Sequence, residues 1–304
     1  MSKVSFIKSD DRYYNVSRAL SLIKGEIMTG LKNAKKVVVK PNCILDNFQL
    51  AATHVDALDA LFEIITPYSK NQIILAEGTG VGDTMTAFKN YEYFSIQEKY
   101  GFAVVDLNTD ESEKVSVFDR KGNLFDINMS KTILEADYLI SICPPKTHDS
   151  VVYTGAIKNT AVGSLSRPID TFSGGIVSRL NLHKNSKASI HQGYKYINEN
   201  LKKLANIKMP DLAVIDGFSS MQGNGPGKDG EMVPTHYAIA SGDAISADLL
   251  ASTLMGIGVD DIGYLSSLKS EHEIPEPFVI GDNWRENILK FKLHSDFAKM
   301  KQWR

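Results

Sequence analysis

The sequence predicts an α/β fold: a mostly parallel, doubly wound sheet with helices on both faces and a small β-hairpin excursion. Two observations predict it. Continuous apolar runs, such as KKVVVK at 35–40 and ADYLISI at 136–142, are typical of strands that are buried on both faces. Stretches with helical periodicity separate these runs, which is the order that places helices over a parallel sheet.

The elements follow one another in a regular order along the chain. Helices are predicted at about 16–33, 54–67, 84–100 (as one or two helices), 187–206 and 243–256, and strands at 35–40, 72–77, 102–107, 136–142, 211–217, 236–242 and FVIGD. Alternating residues on either side of RKGN predict a hairpin at 114–129. The stretch 160–186 has the weakest regular pattern, and we expect an irregular functional loop or insert there.

The composition is that of an ordinary globular protein. The chain has 304 residues, 43% hydrophobic and 23% charged, and its net charge of −2 gives no basic excess for nucleic acid. The apolar runs are too short to span a bilayer, and the first residues contain no apolar signal core. Cys43 and Cys143 form no C-x-x-C spacing and suit a reducing compartment. We therefore expect a cytoplasmic protein that binds neither nucleic acid nor membrane.

Candidate site residues lie directly after the predicted strands. In open α/β sheets, ligands bind just beyond the carboxyl ends of the strands. The residues at these places are Lys40 and Asn42 after the first strand, Glu77, Gly78 and Gly80 after the second, Lys146, Thr147 and His148 after 136–142, Asp216, Gly223 and Gly225 after 211–216, and Asp243 after 236–241. We expect these residues to meet at one edge of the sheet.

The lysines and histidine among these residues indicate acid–base chemistry on an anion. His148 has the side chain best suited to proton transfer near neutral pH. Lys146 can lower the pKa of His148 by repulsion or bind an oxyanion. Lys158 and Asn159 follow soon after, and a cleft shared by Lys40, Lys146 and Lys158 would prefer carboxylate or phosphate. A lysine in the interior can alternatively act as a Schiff-base nucleophile.

Two glycine-rich stretches leave alternatives open. GTGVG at 78–82 can close backbone N–H groups around an anion, or it can form a tight turn before a helix capped by Asp83 or Thr84. It matches neither the dinucleotide fingerprint nor the Walker A motif. MQGNGPGKDG at 221–230 can cover a ligand or form a hairpin-like connection.

Metal binding has little support in the spacing of the ligand-type residues. One conceivable set combines His148, His183 and His191 with Asp216 or Asp243. The three histidines do not have the close spacing of a metal motif. We predict no metal site, and the sequence names no cofactor.

Several stretches together make the chain similar to a known family. These stretches are VVVKPNCI, QIILAEGTG, VVDLN, ADYLISICPPKTH, TGAIKNTAVG, DLAVIDGFSSMQGNGPGKDG and ASGDAISADLLASTLMG. With them the sequence resembles the domain of unknown function 362 (DUF362) family from about residue 35 to 257. The resemblance implies a single α/β domain of this type over 1–304 and points to the candidate residues named above. Some relatives carry a ferredoxin-type four-cysteine cluster, for which this chain lacks the cysteines. The architecture is also similar to the α/β domain of lactate-racemase-type enzymes.

These observations favour an enzyme that acts on a small anionic metabolite or a modified peptide. His148 would move a proton, while Lys146, Lys40 and Lys158 would neutralise the negative charge that develops beside a carbonyl, as in an isomerase, epimerase or lyase. Two alternatives stay open: a metal- or iron–sulfur-linked redox protein, and a non-catalytic module that binds an anionic ligand. The oligomeric state is also open, with a homodimer as one option.

Overall fold

The computed structural model describes residues 2–167 and 185–304. Its strands are β1 (Lys3–Lys8), β2 (Val37–Lys40), β3 (Ile74–Glu77), β4 (Ala103–Asp106), β5 (Ser112–Phe118), β6 (Leu124–Ser130), β7 (Tyr138–Cys143), β8 (Lys146–His148), β9 (Val152–Thr154), β10 (Leu212–Gly223), β11 (Gly230–Ser241) and β12 (Phe278–Gly281). Its α-helices are α1 (Arg12–Leu22), α2 (Lys24–Asn33), α3 (Val55–Ile65), α4 (Thr84–Asn90), α5 (Tyr93–Tyr100), α6 (Lys131–Leu134), α7 (Ala156–Gly163), α8 (Ser186–Ser189), α9 (Gly193–Ile207), α10 (Ala244–Leu254), α11 (Gly263–Glu271) and α12 (Phe297–Met300).

A large mixed sheet organises these elements. Its strand order is β12-β1-β11-β10-β7-β2-β3-β4, and β8 joins it through β10, with β9 beyond β8. The five strands from β10 to β4 run parallel to one another, whereas β11 runs antiparallel to both β1 and β10. The predicted α/β class with a mostly parallel sheet is confirmed.

Helices cover both faces of this sheet, which explains the continuous apolar runs. Val38 of β2 packs into one core, together with residues of α7, α9, α10 and α11. Its neighbours Val37 and Val39 pack into a second core, together with residues of α1, α2 and α3. Because side chains alternate between the faces of a strand, burial of both faces makes the three successive positions from Val37 to Val39 apolar.

The predicted hairpin is also confirmed. β5 and β6 form a separate two-stranded antiparallel sheet, with Ser112 opposite Ser130 and Phe118 opposite Leu124. Asn200 of α9 holds it in place, because its side-chain amide accepts from the Phe118 backbone N–H and donates to the Phe118 carbonyl.

The structure corrects several sequence-based boundaries. The predicted helix at 16–33 is two helices, α1 and α2, which meet at Ile23. The strand predicted at 236–242 starts at Gly230, because the glycine-rich segment before it connects β10 and β11 as a hairpin. Of the stretch 160–186, residues 160–163 belong to α7 and residue 186 begins α8, while 168–184 lie outside the described residues.

The direction of β11 corrects the expected position of Asp243. In the antiparallel pair, Ser241 at the end of β11 lies opposite Ala213 at the start of β10. Asp243 is therefore at the amino edge of β10, opposite to the edge where the parallel strands end. There it caps α10, accepting from the backbone N–H of Ile245 at 3.0 Å and of Ser246 at 3.3 Å.

Across residues 2–167 and 185–304, every helix is too short or too polar to cross a lipid bilayer.

Candidate active site

A cavity of about 260 Å³ lies beyond the carboxyl ends of β2 and β3, between α7 and α8. Seven of the predicted site residues line it: Asn42, Glu77, Gly78, Gly80, His148, Lys158 and Asn159. Further lining residues that were not predicted as a site include Cys43, Thr154, Asn185 and Lys187. Pro226, in the stretch DLAVIDGFSSMQGNGPGKDG that carries the family resemblance, lines the cavity as well. His191, which the sequence suggested only as a metal ligand, also lines this cavity.

Lys40 lies behind the cavity wall and is fully buried. Its ammonium group donates to the Glu77 carboxylate, to Asn159 Oδ1 at 2.9 Å and to the Pro41 carbonyl at 3.1 Å. Burial raises the pKa of Glu77, and the Lys40 charge opposes that rise. Gly163 lets α7 pass over this lysine, because a Cβ atom at that position would overlap the Lys40 ammonium.

Lys146 is fully buried as well, and two asparagines connect it to Lys40. Its ammonium group donates to Asn42 Oδ1 at 2.7 Å, to the Pro144 carbonyl at 3.1 Å and to the Ala51 carbonyl at 3.3 Å. Asn42 Nδ2 donates in turn to Asn159 Oδ1 at 2.9 Å. Burial lowers the pKa of Lys146 to about 8. The structure therefore places both Lys40 and Lys146 behind the residues that line the cavity.

His148 ends β8 and lines the cavity. Its Nδ1 atom lies 2.9 Å from Asp149 Oδ1 and accepts from the backbone N–H of Ser150 at 3.1 Å. Burial, followed by the nearby charge of Lys158, lowers the pKa of His148 to about 3. The imidazole is therefore neutral at physiological pH. The Ser150 bond needs a lone pair on Nδ1 and so places the ring proton on Nε2, whereas a bond from Nδ1–H to Asp149 leaves the lone pair on Nε2. In either tautomer Nε2 is the nitrogen left to exchange a proton with a bound molecule.

Lys158 is the third residue of α7 and is buried in the cavity wall. Within the described ranges, it forms neither a hydrogen bond nor an ion pair. Burial lowers its pKa to about 8, with a contribution from the charges of Lys146 and Lys40, while Asp149 opposes the shift. Thr154 nearby is also buried, and its hydroxyl has no hydrogen-bond partner within the same ranges. An ammonium group and a hydroxyl group thus line the cavity with unused hydrogen-bonding capacity.

The start of α7 is held in place by a carboxylate from another helix. Asp248 of α10 accepts from the backbone N–H groups of Ala156 at 2.8 Å and Ile157 at 3.1 Å, and from the Tyr153 hydroxyl at 3.2 Å. The N-cap residue of α7 is Gly155, which has no side chain to do this. Burial raises the pKa of Asp248 to about 7 against these hydrogen bonds. Asp248 thus positions the first turn of the helix that carries Lys158.

Lys187 of α8 was not recognised in the sequence. Its ammonium group donates to the carbonyls of Val162 at 3.5 Å and Gly163 at 2.9 Å, the last two residues of α7, and to that of Leu165 just beyond the helix. Burial lowers its pKa to about 7. A cation at a helix C-terminus is favourable because the last carbonyls have no intrahelical partner. KNSKAS contains no motif that would have singled this lysine out.

The remaining predicted residues do not reach the cavity. Thr147 Oγ1 donates to the Gly223 carbonyl at 3.0 Å, and Gly225 packs against Thr147. Asp216 lines a second cavity of about 310 Å³, where it is ion-paired with Arg12 at 3.3 Å. At the end of the glycine run, Asp83 caps α4 by accepting from the Thr86 N–H at 2.7 Å, as the turn interpretation predicts.

The conceivable metal set is not assembled. His148 and His191 line one cavity, whereas Asp216 and Asp243 lie elsewhere, and His183 lies outside the described residues. In the part of the chain that the structure covers, no group of three or more His, Cys, Asp or Glu side chains could hold a metal ion.

The fold and the cavity define an α/β protein with a buried, lysine-rich site at the carboxyl ends of its parallel strands. The chain belongs to the family described as domain of unknown function (DUF362), whose model matches residues 37–253. The predicted membership is therefore confirmed.

A structural comparison agrees with this fold. The structure is similar to that of the lactate racemase apoprotein from Thermoanaerobacterium thermosaccharolyticum, with a TM-score of 0.51 and 16% sequence identity. The similarity covers 84% of this chain but only 57% of the racemase chain, and at this identity it shows the fold alone. No curated protein matches the sequence.

Proposed function

We propose that this protein is an enzyme that transfers a proton beside the carbonyl group of a small anionic substrate, in an isomerase, epimerase or lyase reaction. The observation that carries the proposal is the pairing of a neutral imidazole, His148, with an ammonium group that has no described partner, Lys158, in one cavity. The first can accept a proton, and the second can stabilise the negative charge that forms when a proton leaves carbon.

His148 is the general base in this proposal. In the neutral tautomer whose Nδ1–H donates to Asp149, Nε2 has the lone pair and accepts the proton, and Asp149 stabilises the imidazolium that results. General acid–base catalysis by a positioned side chain typically contributes roughly 10²–10⁴-fold to the rate.

Lys158 and Thr154 would bind the substrate. A carboxylate or a carbonyl oxygen would accept hydrogen bonds from the Lys158 ammonium and from the Thr154 hydroxyl, which has no described partner. Electrostatic interactions are stronger in such a buried site than in water.

Lys40 and Lys146 act through other residues in this proposal. Each donates to three protein oxygens, so neither has a proton left for a substrate. We infer that they hold Glu77, Asn42 and Asn159 in the cavity wall and make its potential more positive.

The size of the cavity favours a small substrate. A volume of about 260 Å³ is slightly below the range of roughly 300–1,000 Å³ found for sites of drug-sized ligands. A small carboxylate, a small phosphate or the end of a modified peptide would fit. The fold similarity to a lactate racemase apoprotein is compatible with isomerase chemistry on such a molecule. The cytoplasmic location and the homodimer stay predictions.

The test is solvent-deuterium incorporation. Purified protein is incubated in deuterated buffer with a panel of 2-hydroxy, 2-oxo and amino acids, and exchange at carbon is followed by NMR. We expect exchange with at least one acid, and a loss of exchange in His148→Asn and Lys158→Met. His272→Asn, which changes an exposed histidine, is the matched control. Full exchange in both cavity variants would remove this mechanism.

A further inference from the structure

We propose that Lys158 is a nucleophile that forms a Schiff base with the carbonyl group of an anionic 2-oxo compound. The proposal rests on the proposed function of the same cavity and specifies its substrate class. Lys158 differs in its contacts from the other buried lysines around the cavity.

Those other lysines use all the protons of their ammonium groups. An ammonium group has three N–H donors. Lys40, Lys146 and Lys187 each donate to three protein oxygens. Burial lowers the pKa of Lys146 to about 8 and that of Lys187 to about 7, but the three protein oxygens around each of these nitrogens leave no room for a carbonyl carbon to approach.

The Lys158 ammonium group donates no hydrogen bond to any residue in the described ranges 2–167 and 185–304. Lys158 lies in the first turn of α7, whose backbone N–H groups at Ala156 and Ile157 already use the Asp248 carboxylate as their acceptor. Lys146 and Lys40 add repulsion, and His148 and His191 are neutral neighbours because burial lowers their pKa. Asp149 is the carboxylate that favours the ammonium form. Burial outweighs it, so the neutral amine is accessible near pH 8.

The chemistry of Schiff-base formation is balanced without any further reactant. The amine nitrogen of Lys158 bonds to the carbonyl carbon, and the C=O electron pair moves to oxygen. Both N–H protons are transferred to that oxygen, which leaves as water, and the product is an imine. No oxidant or reductant is consumed. Uptake of one proton from solvent converts the imine into an iminium ion.

The iminium ion connects this step with the proposed function. It carries a positive charge at the place where the Lys158 ammonium stood, and it draws electrons from the neighbouring C–H bond. His148 Nε2 can then accept the proton from that carbon, and the electron pair of the C–H bond forms an enamine. The hydroxyl of Thr154 remains available for the substrate carboxylate. One lysine thus activates the substrate, and one histidine moves the proton.

The experiment is reductive trapping with borohydride. Full-length protein is mixed with pyruvate or glyoxylate, reduced, and analysed by intact mass and peptide mapping. At pH 8 the neutral fraction of Lys158 would exceed that of an exposed lysine by roughly a hundredfold, because their pKa values are about 8 and 10.5. We expect one adduct per chain, located at Lys158, and little at Lys187. Trapping should rise as the pH is increased from 7 to about 8.5.

Two variants serve as controls. Lys158→Met removes the amine, and Lys158→Arg keeps a cation that cannot form an imine; both should lose the adduct. Peptide mapping of the trapped wild-type protein already locates the adduct. The test therefore remains valid even if one of these variants does not fold. An adduct that is spread over exposed lysines, or that persists in Lys158→Met, would overturn the proposal. Deuterium exchange without any adduct would overturn it but leave the proposed function standing, whereas absence of both would contradict both.

Discussion

The carboxylate of Glu77 is ion-paired with the ammonium group of Lys40, with 3% and 0% of the two side chains exposed. Breaking a buried pair by removing one partner typically costs about 3–5 kcal/mol, because the other charge stays buried without compensation. We expect Glu77→Gln to lower the free energy of unfolding by about that amount in urea titrations.

A double variant tests the cause of this loss. Lys40→Met combined with Glu77→Leu removes both charges and replaces them with apolar side chains. It should recover most of the stability that Glu77→Gln loses, since replacing a buried pair by apolar groups is often neutral. Unchanged stability in Glu77→Gln would show that the pair contributes little.

The contact between Asp248 and α7 gives a second prediction. Asp248→Ala leaves two backbone N–H groups and the Tyr153 hydroxyl without their acceptor, and each unsatisfied group costs about 1–3 kcal/mol. We expect a lower free energy of unfolding. We also expect slower incorporation of solvent deuterium into the substrate, because Lys158 lies in the turn that Asp248 holds.

A matched variant separates the effect of Asp248 on the position of Lys158 from its effect on the stability of the fold. Asp243→Ala removes the N-cap of α10 at the opposite edge of the sheet, at a cost of about 0.5–2 kcal/mol. It should lower the melting temperature without lowering kcat for proton exchange below the melting transition. Equal losses of kcat in both variants would argue against a positioning role of Asp248.

Lys146 gives a prediction for the pH dependence of stability. Its pKa is about 8 in the folded protein, compared with 10.5 for an ordinary lysine. Between these values unfolding takes up a proton, so this lysine adds about 1.4 kcal/mol to the free energy of unfolding for each pH unit gained. Below pH 8 the group is protonated in both states, and its contribution does not change.

The comparison of wild type with Lys146→Met isolates this contribution from that of other buried groups. Urea titrations between about pH 8 and pH 9.5 should show the wild type gaining stability over the variant as the pH rises. Parallel pH profiles would mean that Lys146 remains charged in the folded protein.

His148 gives a prediction that does not depend on any substrate. Burial keeps its pKa at about 3, whereas an ordinary histidine titrates near 6.5. In NMR spectra of histidine-labelled protein, we expect the ring signals of His148 to stay unchanged from pH 8 down to pH 5. His148→Asn assigns the resonance. A titration of that signal near pH 6.5 would contradict the neutral base in the proposed function.

A strand of the sheet could be predicted where its own residues form a continuous apolar run. All six residues of β7 are buried, and such a run is visible in the sequence. β1 is equally well buried from Val4 to Ile7, yet it was not predicted, because its pairing partners lie more than two hundred residues away. The direction of β11 was also hidden, because hydrophobic periodicity is the same in parallel and antiparallel strands.

The site was predictable as a set of residues but not as a set of roles. His148 and Glu77 were found because they lie at the ends of strands. Lys146 and Lys187 have partners because their ammonium groups donate to backbone carbonyls such as those of Ala51 and Gly163. A sequence pattern does not reveal these contacts, so it could not show that Lys158 is the lysine with no described partner. Lys187 reaches the same cavity from a separate segment, and no spacing relates it to the other residues.

The place of β1 in the sheet affects how the chain can assemble. β1 lies between β11 and β12, so that Val4 pairs with both Ser241 and Val279. During synthesis, both edges of β1 therefore stay unpaired until nearly the whole chain has been made, because β11 and β12 come late in the sequence. Such distant pairing is associated with slow folding and with a period of exposure to aggregation. A chain shortened before residue 278 would leave one side of β1 open to strands of other molecules.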